Sequence, residues 1–478
     1  MLSILVCHSY FLNFDRKQQQ RAKPYPPLAT LQVASMLRAA GHEVSFFDAM
    51  LAEDLTRFER QLEVLRPQVV LFYEDNFNFL SKMCLGRMRR ACCEMLGLAR
   101  ARGARLIAAG SDASDAPEKY LGAGADVVLH GEALPTLMAL IDRLNADVTL
   151  PGPALASGLP DASHAVGSQT RRSHARAQLP APTLAPLPSW DLIDIEKYRR
   201  VWRRAHGYFS LNMAASRGCS FRCNWCAKPI WGNQYLQRPA AETAAEMLYL
   251  YRHYRPDHIW FADDIFGFRV DWVNDFAAAL EAGGGGVPFT IQLRADLVSE
   301  RMAQALRRAG CREVWIGAES GSQKVLDAMN KGTSVHQNVV ARRRLGEAGI
   351  RVGFFLQLGY LGEELDDILA TRRLIDEARP DDVGVSVSYP LPGTRFHEQV
   401  KEQLGPKTHW QESNDLEMMF SGTYVSEFYR SVRNLLHDQV TYPDSHDVEQ
   451  RWARLVADEA AFRNGEPGGT GELAPAIG

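Results

Sequence analysis

The chain has 478 residues, 46% of them hydrophobic and 23% charged, with a formal net charge of −3. That length exceeds one ordinary core and predicts two or three soluble domains, while the near-balanced charge excludes a global field that gathers nucleic acid. Eight cysteines are too few for a disulfide framework in so long a chain and predict a reducing, cytoplasmic setting.

The opening stretch Met1–Cys7 is too short for a signal peptide and lacks its basic flank. No later apolar run approaches the roughly 20 residues that span a bilayer, so no transmembrane segment is expected. Residues 1–145 then alternate apolar runs with amphipathic stretches. Strands are predicted at Leu2–Cys7, Glu43–Phe47, Gln68–Tyr73, Arg105–Ala109 and Asp126–Leu129, and helices at Leu28–Ala40, Glu53–Leu65, Cys84–Ala101 and Pro117–Leu121. Gly41 and Gly103 stand where two of these helices should stop. The alternation predicts a doubly wound parallel sheet, whose ligands bind at the carboxyl ends of the strands. Glu74-Asp75-Asn76 and Ser111-Asp112 fall there; such residues face a ligand or cap the next helix. Cys84, Cys92 and Cys93 lie on a predicted helix as small buried residues. Residues 146–189 are rich in Pro, Gly, Ala and Ser without periodicity and read as a linker.

From Trp190 to about residue 400 a strand–helix unit recurs six times. Its strands are expected at Ser210–Ser216, His258–Asp263, Phe289–Arg294, Glu313–Ala318, Arg351–Leu358 and Asp382–Tyr389, with helices after the first five. Six units predict an open, partial (β/α)6 barrel of the TIM type, reactive at the carboxyl ends of its strands. Asp263 and Asp264 close the second strand, Arg294 the third and Glu319 the fourth. Each either meets a ligand or caps a helix and pairs at the surface. Cys311 precedes the fourth strand, away from that end, and reads as structural. Residues 401–463 form a smaller C-terminal piece with an aromatic and Met-rich run (Trp410, Met418, Met419, Phe420, Tyr424, Phe428, Tyr429) and one helix through Leu436. Such a run closes the barrel over a substrate or simply packs. The Gly/Pro/Glu-rich residues 464–478 are expected to be a disordered tail.

The chemistry concentrates after the first barrel strand, in Cys219-Ser-Phe-Arg-Cys223-Asn-Trp-Cys226. Three thiols on one tight loop suit an iron–sulfur cluster and leave one iron of a 4Fe-4S cubane open to a small molecule. A structural zinc would ask for a fourth ligand, and no Cys or His lies near in sequence. The alternatives are three core cysteines or a zinc site completed from afar.

The spacing, with Trp225 before the last cysteine, resembles the signature of the radical S-adenosylmethionine (SAM) superfamily. The phrase Gly317-Ala-Glu319-Ser-Gly-Ser322 resembles its cobalamin-fused group, as does Tyr389-Pro-Leu-Pro-Gly-Thr-Arg-Phe396. In the first 145 residues Tyr25–Val44, Ala109–Ser114 and Gly124–Glu132 resemble that group's Rossmann-like cobalamin-binding domain. The resemblance implies a 4Fe-4S cluster on Cys219, Cys223 and Cys226, SAM held by Asp263, Asp264, Arg294 and Glu319, and cobalamin near Ser111 and Asp112. It implies reductive cleavage of SAM to a 5′-deoxyadenosyl radical, with electrons from a flavodoxin or ferredoxin, and methylation of an unactivated carbon of a small molecule. One departure stands out: the D-x-H-x-x-G loop with its axial histidine is absent, Asp48–Glu53 taking its place. Cobalamin would then sit without a histidine ligand, or the domain has lost it. A radical cyclase or oxidase without methyl transfer is the alternative enzyme; a cluster or cobalamin sensor is the alternative outside catalysis.

Overall fold

The computed structural model describes residues 1–75, 77, 86–173, 187–226, 234–404 and 416–464. Asn76, Cys84, Trp410, residues 174–186 of the predicted linker and the tail from 465 lie outside them.

The first half is built on β1 (Ser3–Cys7), β2 (Glu43–Phe47), β3 (Val69–Tyr73), β4 (Arg105–Ala109) and β5 (Val127–Leu129), all parallel, in the order β2-β1-β3-β4-β5. Every residue of β3, Val-Val-Leu-Phe-Tyr, is buried. An unbroken apolar run of this kind marks a strand covered on both faces by helices. Gly41 and Gly103 take positive φ (85° and 78°) just past their helices, Leu28–Ala39 and Gly86–Ala101. That left-handed turn is one glycine adopts without strain.

The stretch expected as linker adds two strands to this sheet. β6 (Ala162–Val166) pairs antiparallel with β5, and β7 (Gln169–Arg172) with β6. Only Ala162 and Ser163 of the pair are buried. A solvated edge hairpin shows no apolar alternation, which is why the reading missed it. Its one signal is the two-residue turn Gly167-Ser168, with Gly167 at φ 59°.

The second half carries β8 (Ser210–Met213), β9 (Ser216–Gly218), β10 (Tyr235–Gln237), β11 (His258–Phe261), β12 (Phe289–Leu293), β13 (Cys311–Glu319), β14 (Arg351–Leu358) and β15 (Asp382–Val387). Six of these form one parallel sheet, β15-β14-β13-β12-β11-β8, open between its two edges, as the six-unit reading predicts. A helix also follows the sixth strand, Arg395–Leu404, which that reading lacked. β9 and β10 pair antiparallel as a separate ribbon, in place of a first strand running on to Ser216. The C-terminal piece has two helices rather than one, Ser426–Thr441 and His446–Ala457. They are joined by Trp452, which is fully buried and donates its Nε1–H to Gln439.

The halves meet through the helix Ile195–His206, capped by Asp194 and stopped by Gly207. Trp202 donates to Pro24 O at 2.6 Å, Asn212 to Pro26 O at 3.0 Å, and Tyr198 to Asp48 at 2.8 Å. A single apolar cluster runs from β1 and β3 through Trp190, Tyr198 and Trp202 into the barrel strands.

Candidate functional site

The β9–β10 ribbon closes the neck of the cysteine-bearing loop. Gly218 has φ 75°, and a Cβ there would stand 2.4 Å from Gln234 O, so the two strands meet only because this position is glycine. Beyond it Cys219 is buried and Cys223 and Cys226 are half-buried. The loop is laced to the turn after the helix Gln323–Ala328. The Asn224 N–H donates to Met329 O at 2.9 Å, Asn224 Nδ2 to Ala328 O at 2.8 Å, and Asn330 Nδ2 to Arg222 O at 2.9 Å. These bonds set it at the carboxyl end of β13, beside Glu319.

Glu319 sits at a register shift between β13 and β14, with φ 62°, a strained position for a residue other than glycine. Its Oε1 accepts from Lys331 Nζ at 2.7 Å, with side chains 6% and 7% exposed. A Cβ on Gly317 would fall 2.6 Å from that carboxylate oxygen and 2.8 Å from the ammonium, so this glycine makes room for the pair. Burial pushes the Lys331 ammonium down, but Glu319, with Cys223 adding, outweighs it and holds the group above its ordinary value. Lys331 also lies 6.0 Å from the centre of the Trp225 ring. Arg294 stacks its guanidinium 3.6 Å over Phe221, holds Asp296 through two 3.0 Å bonds and points Nη1 at Cys223 Sγ, 3.9 Å away. Two buried cations thus flank one cysteine.

Asp263 serves the loop from the other side. Fully buried, it accepts from the Ala215 N–H at 3.0 Å and from the Ser216 hydroxyl, bracing the approach to β9. Burial pushes its carboxyl up to about 7 in spite of these donors. Asp264 next to it is half-buried. Among the described residues no three His, Cys, Asp or Glu side chains close on one point as the ligands of a single metal ion do.

At the carboxyl edge of the N-terminal sheet, Ser111 Oγ is buried with no hydrogen-bond partner among the described residues. Asp112, by contrast, is engaged by Arg89 Nε at 2.6 Å and Tyr120 Oη at 2.6 Å. Glu74 accepts from the Ser9 N–H and Asp75 caps the helix Leu28–Ala39 at Ala29. His8, directly after β1, takes the Ala49 N–H at 3.2 Å and stands 3.3 Å from Asp48.

Sequence reasoning gave no individual role to Arg217, Lys331 or Glu363, and took in Glu132 only as the end of the phrase Gly124–Glu132. Arg217, on β9, pairs with Glu132 at the end of β5. Glu363, in the turn after β14, is fully buried. Its Oε2 accepts from the Gly359 N–H at 2.5 Å, while its Oε1 has no partner among the described residues. Burial pushes it up to about 8. Gly359 also marks where the C-terminal piece touches the barrel mouth: a Cβ there would meet Met418 at 2.9 Å and Tyr429 at 3.2 Å.

Residues 213–375 match the model of the radical SAM superfamily. An uncharacterized methyltransferase of Pyrococcus horikoshii is 25% identical over 420 residues, 85% of this chain and 86% of that protein. The hopanoid C-3 methylase of Methylococcus capsulatus is 24% identical over 397 residues, 79% of this chain and 69% of that protein. In fold, the chain is similar to the cobalamin-dependent SAM radical enzyme OxsB, solved with aqua-cobalamin bound. The TM-score is 0.70 at 18% identity, covering 91% of this chain and 66% of that one.

Proposed function

Because residues 213–375 are a radical SAM domain, we propose that this chain is a cobalamin-dependent radical SAM enzyme that methylates an unactivated carbon of a small molecule. One observation carries the reading. The three-cysteine loop stands at the carboxyl end of an open parallel barrel, with buried Arg294 pointing at Cys223 and the buried Lys331–Glu319 pair beside Trp225. The donor set fits the group: three thiols on one loop match a 4Fe-4S cubane with one open iron. Arg294 and Lys331, although paired with Asp296 and Glu319, would set donors beside the thiolates of a bound cluster, and Glu319 with Arg294 would offer an acceptor and a donor to SAM. In the N-terminal half, the unpartnered Ser111 hydroxyl at the sheet's ligand edge fits a hydrogen-bonding cofactor such as cobalamin. When bound, these groups supply a radical that takes hydrogen from carbon and a methyl group that replaces it. The chain's own residues hold the loop in register, through Asp263 and Asn224. The methyltransferase and methylase names of the two curated relatives support methyl transfer as the outcome. No helix among the described residues is long and apolar enough to cross a membrane. The small number of cysteines favours a reducing, cytoplasmic setting, with a flavodoxin or ferredoxin as electron donor.

The test is anaerobic reconstitution with iron, sulfide and cobalamin, followed by reduction in the presence of SAM. Bound corrin together with release of 5′-deoxyadenosine supports the reading. A cluster that cleaves SAM without binding corrin leaves a radical cyclase or oxidase, and a cluster that never cleaves SAM leaves a sensor.

A further inference from the structure

Arg217 stands two residues before Cys219, on the ribbon that closes the cysteine loop, yet its side chain leaves the barrel altogether. Its Nη1 donates to Glu132 Oε2 at 2.6 Å and its Nη2 to Gln32 Oε1, while the guanidinium lies 5.4 Å over the Phe77 ring. Glu132 is buried and Arg217 largely so, with 13% of the Arg217 side chain and 5% of Glu132 exposed. Glu132 is the turn residue after β5, and its carbonyl accepts from Tyr73 Oη, at the end of β3, at 2.9 Å. Gln32 lies on the helix Leu28–Ala39, whose N-terminus is capped by Asp75 from the β3 edge. Among the described residues, the partners of this arginine therefore belong to the carboxyl edge of the N-terminal sheet, the edge at which such sheets take ligands.

The opposite end of the same ribbon segment is fixed to the barrel by Asp263, through Ala215 and Ser216. Residues 215–217 are thus fastened to both halves within three positions, and the cysteine loop hangs directly from them. A buried ion pair is a poor source of net stability but a strong geometric constraint, because neither charge can leave the other without a large desolvation cost. We propose that Arg217 is a positioning residue which registers the cysteine loop against the ligand edge of the N-terminal sheet, so that occupancy of one site is felt at the other. The coupling runs through one rigid unit: Glu132 on the β5 turn, the Arg217 guanidinium, the three-residue ribbon and Gly218. The proposal rests on the reading that the cysteine loop holds the cluster and that the sheet edge takes cobalamin.

Two measurements test it. In the first, hydrogen–deuterium exchange is followed on the cluster-free full chain carrying Glu132→Gln, and on the neutral pair Arg217→Gln with Glu132→Gln. The pair leaves no charge buried alone. Exchange should rise several-fold in peptides covering 216–226 and 234–237, with β11 to β14 unchanged. A uniform rise across the barrel, or none at the loop, overturns the positioning role. In the second, cobalamin affinity is compared between cluster-loaded and cluster-free protein. Coupling of ordinary strength makes the wild-type affinities differ by between about 5- and 150-fold, and the neutral pair should bring that ratio to about one while still assembling its cluster. A wild-type ratio of one, or a ratio that survives in the pair, refutes the coupling. If the wild type takes up no cobalamin, the functional reading fails instead, and the exchange experiment alone decides whether Arg217 sets the loop.

Discussion

The Glu319–Lys331 pair offers a sharp separation of structure from chemistry. Its side chains are 6% and 7% exposed and 2.7 Å apart, so Lys331→Met leaves a carboxylate stranded in the interior. Removing one partner of a buried pair costs about 3–5 kcal/mol, whereas replacing both with neutral groups of similar size is near neutral. Lys331→Met should therefore lower the urea midpoint of the cluster-free protein measurably, by up to about 1 M, since the slope of unfolding free energy against urea is steep for a chain of this length. Glu319→Gln with Lys331→Met should recover most of that loss. The assay is urea unfolding of the three proteins and the wild type under nitrogen, with 5′-deoxyadenosine release measured in parallel on reconstituted samples. If Glu319 meets SAM, the double variant regains stability while SAM cleavage stays depressed. An unchanged midpoint in Lys331→Met, or a double variant as unstable as the single, refutes the reasoning about the pair. Wild-type cleavage by the double variant confines Glu319 to a packing role.

Other outcomes follow from the same geometry. Gly218→Ala combines a φ of 75° with a Cβ 2.4 Å from Gln234 O; it should open the ribbon and lower the iron retained after reconstitution, and full iron content would refute the assigned closure. Glu363 bears on pH. Its folded value, pushed up from 4.5 to about 8 by burial, means that its contribution is fully present below about 4.5 and is lost as pH rises through 8. Glu363→Gln should therefore make the cluster-free protein lose less stability over that range, by up to about 1.4 kcal/mol per pH unit. Identical slopes in the two proteins would show that Glu363 titrates normally.

How far the sequence reaches can be judged element by element. β2, β4 and β14 are legible to the residue, because their mainly apolar runs end abruptly at Asp48, Gly110 and Gly359. The β6–β7 hairpin was not legible, since its exposed residues leave no pattern. The cysteine spacing, and the glycine and serines around Glu319, single these residues out as candidates in the sequence. Lys331 and Arg217 carry no such mark. Their significance lies in partners 12 and 85 residues away, and a lone charged residue in sequence reads as solvated until the fold shows it buried. Asp112 illustrates the reverse case: it is placed correctly at a strand end, yet it is occupied by Arg89 and Tyr120.

The joint around the helix Ile195–His206 bears on how such a chain is put together. Accessory domains in many proteins behave as cassettes, linked by a tether and exchangeable between hosts. Here the backbone carbonyls of Pro24 and Pro26 are the acceptors for Trp202 and Asn212. Tyr25 between them reaches Ser210 on the first barrel strand. Three consecutive residues of one half thus serve as a socket for the other, under a shared apolar cluster. A sheet transplanted from another protein would arrive without that socket and leave an indole and an amide unsatisfied in the interior. The two halves are therefore fitted to one another at these positions, and a change on either side must be matched on the other.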